Sequence, residues 1–423
     1  MQVFKFGGAS VNNVERIRNM ADILRQYKNE KIIVVISAMG KTTNALEKVV
    51  EAFYAGEKDK ALQLFDKIRR EHISIARELI LKPVEQLASF FTEVEWMLHD
   101  KPAPGVVSPG ERFDYYYDQV VCTGELLSTS IISHFMNETG LSNHWLDVRD
   151  VIRTDDNFRD ANIDWSFTQG KVKEIIEPLF TKHNIIITQG FIGSTDENES
   201  TTLGREGSDY TAAVFANILD ASAQTIWKDV KGVMNADPKQ FPEATYISEL
   251  NYNEVIEMAY YGAQVIHPKT IKPLQNKGIP LYVKCFLDPA APGTFIHDKS
   301  LDHLPPIIVL KENQVLVQLN SQDFSFVGEK PISRLYEMLA EIKIKPNLLQ
   351  TGAVSILLCL DDRADKIDKL IQAASAIFEV QLDKELTLLT IRHYSPSLLQ
   401  EMTADKQIVL RQQSPDTIQV LMR

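Results

Sequence analysis

Cysteine is scarce in this chain and badly placed for chemistry: Cys122, Cys285 and Cys359 are far apart, odd in number and form no CxxC pair. That argues against a disulfide framework and a thiolate metal site. The nine histidines show no HExxH spacing, so the helix-borne zinc site of metalloproteases is missing too. No apolar run approaches the ~20 residues needed to span a bilayer. The first residues, Gln2 to Phe6, read as a strand rather than a basic region before an apolar stretch, so no signal peptide is expected and the cytoplasm is the default. Positive charge is in deficit: the formal net charge of −12 argues against a nucleic-acid partner, because such binders present a basic face. It is no obstacle to a small anionic substrate, which needs only a local cluster of cations. Neither a GxxxxGKS/T loop nor an HRD-type base with a DFG is found, which excludes a P-loop enzyme and a protein-kinase fold.

What is present is a chain of 423 residues with 44% hydrophobic side chains, enough for two or three domains at roughly 150 residues each. The first three hundred residues alternate short apolar runs with helical patterns, the signature of parallel strands joined by helices. Val3–Phe6 is the first strand, ended by Gly7-Gly8. Lys31–Ile36 and Asn184–Thr188 have the nearly continuous apolar character of strands buried on both faces. Gln224–Trp227 and Ile279–Cys285 read as two more. A long charged helical stretch runs from about Lys58 to Leu98, and the Pro/Gly-rich Lys101–Gly110 is expected to be a loop ending that hairpin.

After Pro305-Pro306 the pattern changes. Strand Val315–Leu319, helix Ile332–Ile342, strands Ile344–Leu349 and Val354–Leu360, helix Ala364–Ala374 and strand Phe378–Leu382 make one βαββαβ, ferredoxin-like unit. The rest supplies strand Leu386–Arg392, helix Ser397–Met402 and strands Gln407–Arg411 and Thr417–Met422. This second unit is a strand short, and Ile307–Leu310 is expected to fill the gap.

Four segments carry candidate chemistry, three of them loops after strand ends, where open α/β sheets bind ligands. Lys5-Phe6-Gly7-Gly8-Ala9-Ser10 offers glycines for close phosphate approach, a following helix N-terminus and a full charge. A strand ending in a tight turn would look the same. Ser37-Ala38-Met39-Gly40-Lys41-Thr42-Thr43-Asn44 suits an anion, as it suits any strand-to-helix turn. Gln189–Gly193 followed by Thr202-Leu203-Gly204-Arg205-Glu206-Gly207-Ser208-Asp209 brings glycines, a guanidinium, a hydroxyl and a carboxylate to the start of an apolar helix (Ala212–Leu219). Arg205 can hold a carboxylate through paired hydrogen bonds; Asp209 can ligate Mg²⁺ beside phosphates. Ser208 or Asp209 could equally be an N-cap. Glu125, in Thr123-Gly124-Glu125-Leu126-Leu127-Ser128, sits in an apolar helix and needs a partner, either a substrate ammonium or a cation of the protein.

Taken in this order, the segments resemble aspartate kinases of the amino acid kinase family. KFGGAS is similar to the family's KFGGTS, SAMGKTTN to SAxGxxTN, GELLS to its GE-containing helix, and ITQGFIG and TLGREGSDYTAA to ITQGFIG and TLGRGGSDYTAA. WKDVKGVMNADPK, GAQVIHPKTI and PGTFI resemble WTDVxGVxxxDPR, GAKVLHPxTI and GGTxI. The likeness covers about residues 2–296; the C-terminal part resembles paired ACT modules by pattern.

The resemblance implies an α/β, three-layer αβα catalytic domain over residues 1–298 with a mainly parallel sheet and a helical-hairpin insertion at 58–110. Two interleaved ACT modules follow over 299–423, about 312–384 for the first and 305–311 plus 385–423 for the second. The implied reaction is ATP-dependent phosphorylation of the L-aspartate side chain, the first step toward lysine, threonine and methionine. By the family pattern Lys5 lies between the γ-phosphate and the attacking carboxylate. Arg205 holds the substrate α-carboxylate and Glu125 its ammonium; Ser37, Thr43 and Ser208 line the pocket; Asp209 orients Mg²⁺. Gly7, Gly8, Ser10, Gly193, Trp227, Lys228, Asp229, Lys231, Asp237 and Gln264 surround ATP. An aspartate side chain with pKa ~3.9 is already ionised at pH 7, which fits the absence of a general base.

Three positions depart from the pattern. Ala9 replaces a threonine, Glu206 a glycine, and Gln264 a lysine that reaches the phosphates, for which Lys231 or Lys269 is expected to compensate. In lysine-sensitive members an aspartate near the strand after the first ACT helix receives the effector's ammonium; the position here is Asn347. Phe326, Val327, Gly328, Asn347 and Leu348 are therefore the candidate effector residues, for lysine or threonine. ACT pairing implies a homodimer, and the length leaves no room for a second catalytic domain after the regulatory region. The competing readings are another kinase of the same fold (for glutamate, N-acetylglutamate, carbamate or UMP) and an inactive amino-acid sensor.

Overall fold

The apolar runs become the centre of a sheet. The computed structural model describes residues 1–82, 84–99, 109–263, 266–301, 303–323 and 325–423, with the backbone alone for 109–112. Its strands are β1 (Gln2–Phe6), β2 (Ile32–Ile36), β3 (His144–Leu146), β4 (Ile185–Gln189), β5 (Ile192–Ser194), β6 (Ser200–Thr202), β7 (Ala223–Lys228), β8 (Glu249–Asn251), β9 (Leu281–Cys285), β10 (Thr294–His297), β11 (Ile307–Ser321), β12 (Leu348–Thr351), β13 (Ser355–Asp361), β14 (Phe378–Arg392), β15 (Ile408–Gln413) and β16 (Thr417–Met422). The helices are α1 (Val14–Arg25), α2 (Thr42–Tyr54), α3 (Lys58–Leu79), α4 (Glu85–His99), α5 (Pro109–Val121), α6 (Thr123–Glu138), α7 (Trp165–Leu179), α8 (Gly207–Ile218), α9 (Tyr252–Tyr261), α10 (Pro268–Gln275), α11 (Glu329–Glu341), α12 (Ala364–Ala374) and α13 (Pro396–Met402). Among the described residues no helix is long and apolar enough to cross a membrane.

The chain divides into two compact units: 1–233 with 246–256 and 264–301, and 234–245 with 257–263 and 302–423. In the first, the strand order is β3-β4-β2-β1-β7-β9-β10-β8. Neighbours from β3 to β9 are parallel; β10 runs antiparallel to β9 and parallel to β8. Every residue of β2 and β4 is buried, as continuous apolar strands require. Register sets the strand ends level: Gln189 pairs with Ile36, Ile36 with Phe6, Phe6 with Trp227 and Trp227 with Lys284. The loops beginning at Gly190, Ser37 and Gly7 therefore emerge side by side. They follow β1 and the two strands on one side of it, while β7 lies on the other side, which makes β1 a switch point of the sheet.

The long charged stretch forms two helices, α3 and α4. They pack through Phe65 and Phe91, with Arg69 bonded to Glu95 at 2.6 Å. The expected loop at 101–110 lies largely outside the described residues; α5 already begins at Pro109, a tolerated first position for proline. α6 is buried along almost its whole length.

The second unit is an antiparallel sheet ordered β12-β13-β11-β14-β16-β15. β11 and β14 are each 15 residues long and serve two ferredoxin-like halves. The first half uses β12-β13-β11-β14, covered by α11 and α12 over Val315, Val317, Leu319, Leu358 and Leu360. In the second, Ile307–Lys311 pairs with the Leu388–Arg392 end of β14, and β14 pairs with β16. A bulge between Lys311 and Gln314 marks the change, with Asn313 at φ 52°, as bulges re-aim a strand.

Candidate active site

Two close approaches build the crevice. At Gly8 an added Cβ would lie 2.7 Å from the carbonyl oxygens of Ala38 and Gly40, and Gly40 N–H donates to Gly8 O at 3.0 Å. The loops after β1 and β2 thus interlock only because position 8 has no side chain. At Gly190 a Cβ would be 2.5 Å from that of Ser208, so the start of α8 comes directly against the end of β4. α8 does not use Ser208 or Asp209 as its N-cap. Glu206 holds that position at φ 55° without a side-chain cap bond, leaving both side chains in the first turn for the crevice.

A cavity of about 390 Å³ opens there, lined by Lys5, Ser37, Thr43, Glu125, Arg205, Ser208 and Asp209 together with Tyr117, Arg159, Phe191, Thr202, Gly204, Glu206 and Gly207. All the catalytic and acceptor-binding residues expected from the sequence thus share one wall system. Lys5 Nζ is 2.5 Å from Asp209 Oδ1, with both side chains nearly buried. Ser37 Oγ donates to Ser208 Oγ at 3.0 Å, and Ser128 Oγ holds Ser37 O at 2.9 Å.

Glu125 is 2% exposed. Its Oε1 accepts the Ala38 N–H at 3.1 Å, while Oε2 is buried without a hydrogen-bond partner. Burial pushes its pKa up to about 8; the Ala38 bond, a bond from its own backbone and the charge of Lys5 act against the rise. Among the described residues no cation completes it, which leaves a bare acceptor in the pocket wall, the place for a ligand donor.

The residues expected around the nucleotide are distributed differently. Ser10 is buried and its hydroxyl donates to Trp227 O at 3.3 Å. The Trp227 indole is core: it is 1% exposed and stacks on Phe6 at 5.8 Å, so only its backbone is near the strand end. Gly193 packs against Ile152 and Thr154. Gly7 and Gly8 form the first loop, and Lys228 ends β7, with Asp229 and Lys231 exposed just beyond it. Asp237 belongs to the second unit, and its carboxylate accepts the Lys239 N–H at 3.0 Å. Gln264 lies outside the described residues. Of the two lysines expected to compensate for it, Lys269 is engaged by Asp160, whereas Lys231 has no ion pair among the described residues. Glu206 turns one buried oxygen, Oε2, to no hydrogen-bond partner.

Sequence reasoning missed Tyr117 and Arg159. They come from α5 and from the loop after Thr154, where no strand-end motif points to a ligand. The only trace was a polar run, Thr154-Asp155-Asp156-Asn157-Phe158-Arg159, too ordinary to single out.

In the second unit Phe326 is 81% exposed. Val327 N–H donates to Ala353 O at 2.8 Å, and its side chain packs on the helix-covered core. Gly328 is the N-cap residue of α11. Leu348 is core, in a cluster with Leu316, Cys359 and Leu388. The Asn347 amide is already in use: Lys311 Nζ donates to its Oδ1 at 2.7 Å, and its Nδ2 donates to Gln314 and Asp361, both at 2.8 Å.

No group of three or more His, Cys, Asp or Glu side chains could hold a metal among the described residues. The three cysteines are buried and free.

Comparisons with known proteins bear on the family and the fold. The amino acid kinase family model matches residues 1–285. Lysine-sensitive aspartokinase 3 of Escherichia coli is 33% identical over 404 residues, 92% of this chain and 86% of that protein. The structure of E. coli aspartokinase III with aspartate and ADP, in its R-state, matches with a TM-score of 0.83 at 29% identity, covering 100% of this chain and 96% of the other. Its T-state complex with lysine and aspartate matches at 0.80 and 29%, covering 100% and 95%. The architecture is accordingly a three-layer αβα kinase fold followed by two ACT modules, and the chain belongs to the amino acid kinase family, within it to the aspartokinases.

Proposed function

We propose that the protein transfers the γ-phosphoryl group of ATP to the side-chain carboxylate of L-aspartate, forming 4-phospho-L-aspartate. The observation that carries this reading is the cavity at the strand ends. It pairs a buried carboxylate with a free oxygen, suited to an ammonium, with Lys5 and Arg205, suited to carboxylates and phosphate. The acceptor needs no base, since a carboxylate of pKa ~3.9 is ionised at neutral pH. The work left to the protein is to bring two anions together and offset the charge of the transferring group. Lys5 supplies one full charge; the N-termini of α2 and α8 add partial ones.

ATP is the proposed donor, bound as the Mg²⁺ complex. With no protein cage for a metal among the described residues, the fit is to an ion held by one carboxylate, Asp209, and otherwise by phosphate oxygens and water, the usual manner of Mg²⁺. When bound it supplies positive charge to those oxygens. The nucleotide residues are proposed to be Lys5, Gly7, Gly8 and the backbone and cations following β7, notably Lys231.

The ACT modules are proposed to sense a pathway amino acid and to pair in a homodimer, the sheet edge at β12 being open to a second copy. A cytoplasmic setting and a place at the head of the lysine, threonine and methionine branch go with this reading. The test is to incubate the protein with MgATP and L-aspartate and trap the acyl phosphate as its hydroxamate. Glutamate, N-acetylglutamate, carbamate and UMP serve as alternative acceptors, and Lys5→Ala as the control. Aspartate-dependent product that falls at least a thousandfold in the variant is expected; turnover of another acceptor alone would refute the assignment.

A further inference from the structure

Asp118, on α5, has no place in the chemistry above. Its carboxylate is fully buried, where an unpartnered charge is costly, and donors from two other segments satisfy it. Thr202 gives its backbone N–H to Oδ2 at 2.8 Å and its hydroxyl to Oδ1 at 2.7 Å; Arg159 gives its backbone N–H to Oδ2 at 2.9 Å. Thr202 and Arg159 both line the acceptor cavity. One buried carboxylate therefore fixes two of its walls.

Arg159 is the unusual member. Its φ of 70° lies in the left-handed region, which costs any residue with a Cβ. Its guanidinium carbon sits 4.4 Å from the Tyr117 ring centre, and its end nitrogens are 3.1 Å from Asp114 and 3.6 Å from Glu47. Those two carboxylates are 40% and 36% exposed, so the pairs are of the weak, water-screened kind. A carboxylate entering the cavity can take the guanidinium from them, because the planar fork matches a carboxylate with two parallel bonds.

We propose that Arg159 is a second carboxylate-recognising cation of the acceptor pocket, alongside Arg205, and that Asp118 is the positioning residue that holds it there. The inference rests on the acceptor-pocket reading and deepens it. The pocket demands a free α-carboxylate, and the demand is set partly by a residue outside the strand-end motifs. Asp118 touches no substrate; it acts through the backbone of Arg159 and through Thr202.

The test is steady-state kinetics of the full chain with L-aspartate and with its α-amide at saturating MgATP. Arg159→Gly removes the cation and suits the left-handed backbone, so the fold is kept. It should raise the aspartate KM about tenfold, the size of one lost charge-assisted contact, leave the ATP KM within twofold, and reduce the preference for aspartate over the α-amide by a similar factor. Arg159→Lys should recover part of the KM. Asp118→Asn should shift the aspartate KM in the same direction with the ATP KM unchanged. Combined with Arg159→Gly it should add nothing further. If Asp118→Asn does not fold, Thr202→Val removes the hydroxyl bond alone and should move the aspartate KM the same way by a smaller factor. An unchanged KM and α-amide preference in Arg159→Gly overturns the role of Arg159. Multiplicative effects in the double variant, or no KM shift in Thr202→Val, overturn that of Asp118. A wild-type chain that ignores aspartate but turns over another acceptor fails the functional reading instead, and the same variants then decide this inference on that acceptor.

Discussion

Replacing Glu125 by glutamine removes an ionisable carboxyl and almost no volume from the acceptor cavity. In the ligand-free protein burial raises this carboxyl to about 8, so at pH 7 it is about nine-tenths protonated. A substrate ammonium needs the carboxylate, and binding must therefore expel the proton. Uptake of aspartate should release about 0.9 proton at pH 7. The aspartate KM should fall about ninefold from pH 6 to 7, about fivefold from 7 to 8, and level off above. Calorimetry in two buffers of different ionisation enthalpy measures the first quantity, and a KM profile from pH 6 to 9 the second. In Glu125→Gln the proton release should vanish. Above pH 8 its KM should exceed the wild-type value at least a hundredfold, since breaking a buried ion pair costs about 3–5 kcal/mol. Stability should move the other way. A carboxyl whose folded pKa lies above its unfolded value contributes most below the unfolded value, and that contribution is lost as pH rises through the folded one. Wild type should therefore lose about 1.4 kcal/mol per pH unit relative to Glu125→Gln between about pH 4.5 and 8. A flat KM profile with buffer-independent heats would refute the reasoning, because it would mean that Glu125 is ionised before the ligand arrives or never meets its ammonium.

Two further substitutions test neighbouring claims. Glu206→Gly removes a left-handed residue with a buried unpartnered oxygen. It should stabilise the protein by about 0.5–1 kcal/mol, the left-handed cost less the extra chain entropy of glycine, seen as a higher Tm; a lower Tm would show that Glu206 has a partner that matters. Lys311→Ala frees the Asn347 Oδ1 acceptor, so any effector whose ammonium seats there should inhibit at about tenfold lower concentration. Lysine titrations flat to millimolar levels in both forms would remove Asn347 from the effector site.

The sheet centre was legible because burial on both faces writes an unbroken apolar run, as in Lys31–Ile36. The strand-end motifs were legible because phosphate chemistry demands glycine and charge at fixed offsets. The short strands β3, β5, β6, β8 and β10, of three or four residues, carry too little pattern for either periodicity. β11 and β14 read as two strands each because Lys311-Glu312-Asn313 and Asp383-Lys384-Glu385 interrupt the alternation where each strand changes module. Trp227 was taken for a nucleotide neighbour on its place in a motif, yet a large aromatic at the end of a central strand is first a core residue. Asp118 was invisible for a different reason: its meaning is three hydrogen bonds to segments distant in sequence, and nothing local announces them.

These residues share a logic. In the ligand-free crevice Lys5 rests on Asp209, Arg159 on Asp114 and Glu47, and Glu125 on its own proton. Each of these three groups is already occupied before a substrate arrives. Lys5, nearly buried, would pay a large desolvation cost if left bare. Parked on carboxylates, Lys5 and Arg159 stay in place, and an incoming anion exchanges with a protein carboxylate rather than filling an empty field. In the ligand-free crevice Asp209 is the partner of Lys5; a cation brought in with the nucleotide would be held by the same carboxylate and would supply positive charge to the phosphate oxygens. Lys5 would then be free to face the phosphoryl group. Charge balance favours that exchange, since a buried carboxylate left without a counter-charge is costly.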